Sequence, residues 1–213
     1  MPLPIAHSAF GLGCFLTLGN AFDRDASKGE KVLLAGLCVA VANVPDLDFV
    51  PGILIGEPGR FHHGPSHSLT AALVGGLLLS FLFAGILRGR ISSWKILICC
   101  SCSLLFHPIL DYFSMDTSEP YGVPLFWPLI ETYFVSPLSL FLDIQRDQSS
   151  VRTFVDTLIN PNNGRAAIVE LFFSGMVLLL VLGLAHRSKP ALAVRSLVGS
   201  LACGLIYALL HFR

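Results

Sequence analysis

Four stretches of this chain, Ser68–Leu87, Ile91–Phe113, Ala166–Ala185 and Ala191–Phe212, run for about twenty residues with no more than two charged side chains apiece. That length matches the hydrocarbon core of a bilayer. In lipid a backbone must pair its own polar groups, which leaves helices for segments of this kind. Two further stretches, Leu3–Phe22 and Val32 to about Ile55, are apolar but interrupted by prolines and polar residues. The expected fold is all-α: a polytopic helical membrane protein of about six transmembrane or re-entrant helices. Composition agrees, since 13% of the 213 residues are charged, against about a quarter in a soluble domain.

The balance of charge excludes some partners. Lys plus Arg and Asp plus Glu each number 14, and no basic stripe interleaved with aromatics offers a nucleic-acid surface. No P-loop or dinucleotide-binding glycine pattern occurs. The six cysteines, Cys14, Cys38, Cys99, Cys100, Cys102 and Cys203, all fall in apolar stretches without a CxxC pair. Thiols so placed behave as small buried hydrophobes, so neither a disulfide framework nor a thiolate zinc site is expected. The N-terminus lacks the positive region and cleavage site of a signal peptide.

We read residues 1–213 as one membrane domain. A motif-bearing part covers 1–130, an amphipathic loop region covers 114–165 between the fourth and fifth spans, and two C-terminal transmembrane helices cover 166–213. Phe126, Trp127, Tyr133, Phe134 and Phe141 give the loop region an aromatic character suited to lipid headgroups. Within it Val151, Phe154, Val155 and Leu158 recur at helical spacing, and Asn160-Pro161-Asn162-Asn163-Gly164 reads as a turn. Lys and Arg concentrate at alternate connections: Arg24, Lys28 and Lys31; Arg88, Arg90 and Lys95; Arg187, Lys189 and Arg195. The positive-inside rule then puts both termini outside. Asp23, Asp25 and Glu30 dilute the first cluster, and Arg60, Arg146, Arg152, Arg165 and Arg213 are spread thinly on the opposite face.

Against this apolar background, ionisable residues stand at four places. His7 lies near the start of the first span, and Asp46 and Asp48 sit near the end of the second. His62, His63 and His67 lead into the third, and His107 and Asp111 lie four residues apart late in the fourth. Successive spans run in opposite directions, so early residues of odd spans share a membrane face with late residues of even ones. All four sets are therefore expected to meet at one depth, whichever way the chain is oriented. His107 and Asp111 at i, i+4 share a helix side. Asp46 and Asp48 can present two carboxylates from one extended turn, and His62 and His67 bracket a Gly-Pro turn. An unsatisfied ionisable group in hydrocarbon costs several kcal/mol, so function is the default reading of such residues. His186 and His211, near span ends without carboxylate partners, are set aside.

Mixed imidazole and carboxylate ligands suit zinc, with manganese or iron as alternatives, better than calcium or magnesium, which prefer all-oxygen shells. The candidate metal residues are His7, Asp46, Asp48, His62, His67, His107 and Asp111. Seven exceed what one tetrahedral zinc takes, so they serve two metals, or one metal with supporting partners.

Together, His7, Pro45–Asp48, His62–Ser68, His107 with Asp111, and Gly122–Pro128 resemble the YdjM-like family of bacterial inner-membrane proteins. That family's pattern combines an early His, a Pro-Asp-Leu-Asp, a His-Arg-Gly-x-Thr-His-Ser, a later His-x-x-x-Asp and a Gly-Val-x-Leu-x-x-Pro. The resemblance implies a multi-pass inner-membrane protein, a metal-dependent hydrolase, and all seven candidate residues in its site. His63 stands where the pattern has Arg, which removes a permanent cation for a phosphate, and Ser66 stands where it has Thr. Pro108 is expected to kink its helix.

The expected activity is hydrolysis of a lipid-linked or amphiphilic ester, a phosphoester first, by a metal-activated water. Membrane lipid and an amphiphilic small molecule are then the expected partners. Asp46, His62, His67 and His107 are the expected ligands. Asp48 and Asp111 ligate or orient the histidines, and either can act as general base. Two alternatives compete: a metal-binding membrane protein without catalysis, such as a divalent-ion sensor or transporter, and a scaffold whose polar cluster only fixes helix packing. An intramembrane protease of the HExxH type is unsupported, because the motif is absent.

Overall fold

The computed structural model describes residues 1–19, 27–87, 91–117 and 119–212, and over them the chain is helical with two isolated β-bridges. α1 (Pro4–Cys14) continues into a π turn, Phe15–Gly19. α2 (Lys28–Ala42) breaks into a 3-10 turn, Pro45–Asp48, and the short α3 (Phe49–Leu54). A second 3-10 turn, Pro65–His67, leads into α4 (Leu69–Leu87) and then α5 (Ser93–Tyr112). After a long loop come α6 (Val151–Leu158), α7 (Pro161–Ala185) and α8 (Pro190–His211). α4, α5, α7 and α8 are each long and apolar enough to cross a bilayer. α2 with Pro45–Leu54, bent by 47°, makes a broken fifth, and Pro4–Leu18 is a shorter apolar helix. The two segments interrupted in sequence are thus the short one and the broken one.

Local chemistry sets the boundaries. Ser27 and Glu30 form a capping box at the start of α2, and Ser150 with Thr153 forms another at α6. The Asn-Pro-Asn-Asn-Gly run, expected as a turn, opens α7 instead. The Asn160 side chain accepts from the Asn163 N–H at 2.9 Å, and Pro161 sits in the first turn, where its missing N–H is no loss. Asp46 and Asp48 also depart from the extended turn expected of them. On a 3-10 turn, with about three residues per turn, side chains two apart diverge. α5 continues through Pro108 to Tyr112. The cations Arg24, Arg88, Arg90 and Arg213, with Asp23 and Asp25, lie outside the described residues.

α7 packs on α8, α4 packs on α5, and α1 contacts α2, α5 and α7. Gly11 allows α1 to close on α2: a Cβ there would stand 2.5 Å from the Cys38 carbonyl oxygen, the small-residue device by which membrane helices approach. α1 carries no capping side chain of its own. Glu170 of α7 supplies one, accepting the N–H groups of Leu3 and Ala6 at 2.7 Å each. A carboxylate suits that position, because it meets the first amides of the helix at the positive end of its dipole. The outer faces are apolar and exposed, as at Leu78, Phe81, Leu201 and Leu205.

The loop after α5 folds over the end of the bundle where α4 begins and α5 ends. Leu125 accepts from the Leu69 N–H at 2.9 Å, and Val123 and Phe134 exchange backbone hydrogen bonds at 3.0 and 2.9 Å. Gly122 makes this strap possible: its φ is 89°, and a Cβ would collide with the Phe134 carbonyl. The Gly122–Pro128 motif therefore ties the loop to the first residue of α4, two positions from His67.

Candidate metal centre

α1, the break after α2, the turn before α4 and the last turns of α5 all deliver side chains to this end of the bundle. His107 Nε2 lies 3.2 Å from Asp111 Oδ2 and 3.5 Å from Asp46 Oδ1. His67 Nε2 lies 3.6 Å from both Asp46 Oδ1 and Asp111 Oδ2. His7 Nε2 is 3.6 Å from Asp111 Oδ1, and its ring stacks on that of His107 with 3.8 Å between centroids. The side chains of His7, His67, His107 and Asp111 are wholly buried, whereas that of Asp46 keeps 13% exposure.

Two features decide what this arrangement can do. Both nitrogens of His7, both oxygens of Asp46 and Asp111, and Nε2 of His67 and His107 are buried without a hydrogen-bond partner. Each such atom costs about 1–3 kcal/mol if nothing satisfies it, so a cluster of them calls for a further group. The spacings point to the same group. Hydrogen bonds to oxygen run at about 2.7–3.2 Å, and four of the five distances are longer. Two ligands each about 2.1 Å from one divalent ion lie roughly 3–3.6 Å apart, the range observed. The trios His7/Asp46/His107, Asp46/His62/His67 and His67/His107/Asp111 each offer ligand atoms within 4.8 Å of one another. The residues present fit a divalent metal.

Neighbouring groups aim these side chains. His107 Nδ1 donates to the Ala42 carbonyl at 2.7 Å, a carbonyl at the C-terminal end of α2 that lacks an intrahelical donor. The proton is thereby held on Nδ1, and the Nε2 lone pair faces Asp46 and Asp111. Asp48 stands behind the histidines: it accepts from His62 Nδ1 at 2.9 Å and Ser66 Oγ at 2.8 Å, and lies 3.2 Å from His67 Nδ1. Burial alone would lower the His67 imidazole, but the carboxylates of Asp46, Asp48 and Asp111 outweigh it and hold His67 up at about 10. A metal at Nε2 must therefore displace a proton. Asp48→Asn is expected to weaken metal affinity about 10- to 100-fold. Retention across a series of chelator concentrations checks this, and unchanged retention would mean that Asp48 does not orient His67.

The model of the YdjM inner membrane protein family matches residues 1–189. The chain belongs to this family. No curated protein and no solved structure matches it. Membership and the long apolar helices make it a multi-pass inner-membrane protein. The match runs past the motif-bearing part through α7, so it includes the Glu170 that caps α1 close to His7.

In this YdjM-family chain, six of the seven expected residues fall within ligand spacing in the three trios: His7, Asp46, His62, His67, His107 and Asp111. Asp48 lies beside them, against His62 and His67. His62 gives Nδ1 to Asp48, sets Nε2 against the Met1 sulfur at 2.5 Å and stacks on Phe49. His63, in the left-handed region at φ 57°, faces Asp116 Oδ2 at 3.4 Å, and burial pushes its imidazole below the usual range. It thus does not replace the permanent cation of the motif. Sequence reading missed Arg146, whose Nε is buried without a partner and whose guanidinium lies 5.3 Å over the Phe49 ring. It also missed Glu170, although a lone carboxylate in an apolar span was the signal to follow.

Proposed function

We propose that this chain is a membrane-bound, metal-dependent hydrolase acting on an amphiphilic ester, with a phosphoester as the favoured substrate. The observation that supports the reading is the set of buried, unpartnered nitrogens and oxygens held at ligand spacing by four separate segments. His7, Asp46, His67, His107 and Asp111 would hold the ion, zinc first, with manganese and iron as alternatives. A divalent ion bound there supplies Lewis acidity towards a scissile ester and acidifies water.

The chain's own residues do the rest. The Ala42 carbonyl and Asp48 fix the rings of His107 and His67. Both carboxylates bury their oxygens, but Asp46 borders an apolar cleft and Asp111 does not, so Asp46 is the one placed to take the proton of a water entering from that side. Asp111, enclosed among three imidazoles, is left to ligate. The positive-inside bias puts this site at the outer face of the inner membrane. The test loads purified protein with zinc, manganese or iron and offers short-chain phospholipids and lipid phosphates. Product release is expected, falling on the order of 100-fold or more in His67→Ala and stopping in EDTA. Retained metal without turnover, or turnover that survives both treatments, rejects a metal-dependent hydrolase.

A further inference from the structure

Next to the candidate centre lies a cleft of about 290 Å³ walled by Leu3, Phe49, Phe154 and Leu158, with Asp46 and Arg146 as its charged side chains. Asp46 joins it to the metal residues, since its Oδ1 is 3.5 Å from His107 Nε2. Arg146 belongs at once to this cleft and to a small polar recess bordered by His62, His63 and Asp116. Its guanidinium rests on the Phe49 ring, and its Nε is buried with no hydrogen-bond partner. Asp116 and Asp143 support its charge from nearby without satisfying that nitrogen.

A guanidinium keeps its charge when half buried and offers a planar fork of donors that matches phosphate oxygens. Its Nε is enclosed, but its two terminal nitrogens are not among the buried atoms and make no hydrogen bond to the described residues, so an anionic acceptor belongs beside them. The volume sets the size of that acceptor's carrier. Ligand pockets run from about 300 to 1,000 Å³, so this cleft takes a headgroup and the first part of one chain, with the remainder in lipid. The distribution of charge sets its polarity: apolar walls, a cation to hold the head, and the Asp46 carboxylate beside the metal residues.

We propose that the cleft selects an amphiphile carrying an anionic phosphate headgroup, the phosphate paired with Arg146 and the acyl chain along Leu3, Phe49, Phe154 and Leu158. The bond adjoining the headgroup then lies beside Asp46. This rests on the hydrolase reading for its consequence, but binding needs no turnover, so the two fail separately.

The experiment uses the full chain in neutral detergent, zinc-loaded and EDTA-treated, with metal content read in parallel. Equilibrium dialysis compares short-chain phosphatidic acid below its micellar concentration, short-chain phosphatidylcholine and inorganic phosphate. Phosphatidic acid is expected to bind on the order of 10-fold more tightly than either, and Arg146→Gln to lose about 10-fold or more of that affinity, as a charge-assisted hydrogen bond implies. Arg146→Lys should lose less, and Leu158→Trp, which fills the cleft, should lose as much as Arg146→Gln. All three variants should keep their metal. Unchanged affinity in Arg146→Gln or Leu158→Trp overturns the proposal, as does inorganic phosphate binding as tightly as the lipid. Metal loss in Arg146→Gln overturns it too, by moving that residue into the centre. Arg146-dependent lipid binding without turnover keeps the cleft and rejects the hydrolase.

Discussion

His107→Ala is expected to leave the purified protein without bound metal. His107 connects three parts of the site: Nδ1 binds the Ala42 carbonyl, Nε2 faces Asp46 and Asp111, and the ring stacks on His7. Loss of a group that merely orients a ligand costs about 10- to 100-fold in metal affinity, so loss of the ligand itself should cost on the order of 1,000-fold. Part of the effect of alanine is structural. The Ala42 carbonyl loses its donor, worth about 1–3 kcal/mol if it stays buried, and a cavity opens in a wholly buried place. His107→Gln separates the two contributions, because its amide can still donate towards Ala42 and fill most of the volume. Both variants should lose metal after dialysis against buffered zinc, while the glutamine variant keeps a melting temperature near that of metal-free wild type. Stoichiometric metal in either would remove His107 from the ligand set.

The parts of this site that were legible in sequence were those in which a polar residue contradicts its surroundings. His7, His107 and Asp111 sit in apolar runs, where an ionisable group is costly enough to demand a reason. Alternation of span direction then suffices to bring them to one level, even though α1 is short and α2 broken. The difference between Asp46 and Asp48 was not legible. Two residues apart, they share a face in an extended turn and diverge in a 3-10 turn, and nothing in Pro-Asp-Leu-Asp separates those conformations. The Ala42 carbonyl escaped because it is backbone, and Arg146 because its loop has no periodicity to say which side chains turn inward. Glu170 was visible as a residue, but its partners are amides more than 160 positions away, which only the packing of α7 on α1 reveals.

Removing the metal from wild type is expected to lower its thermal midpoint sharply, and the direction follows from charge. Without a cation, the buried carboxylates of Asp46 and Asp111 face each other across imidazoles whose inward nitrogens have no hydrogen-bond partner. A proton on His67 offsets part of this repulsion, because the surrounding carboxylates hold that imidazole up at about 10, but one proton carries half the charge of a divalent ion. An ion that binds the folded chain alone adds about 4 kcal/mol at a thousand times its Kd. With about 2–4 °C per kcal/mol for a chain of this size, EDTA should lower the midpoint by roughly 8–16 °C. The double variant Asp46→Asn/Asp111→Asn is the control, since it removes both the ligands and the repulsion. Its midpoint should be indifferent to EDTA and should lie above that of stripped wild type. If wild type melts at the same temperature with zinc and with EDTA, the carboxylates and imidazoles satisfy one another as an ion-paired scaffold, and no metal stabilises this fold.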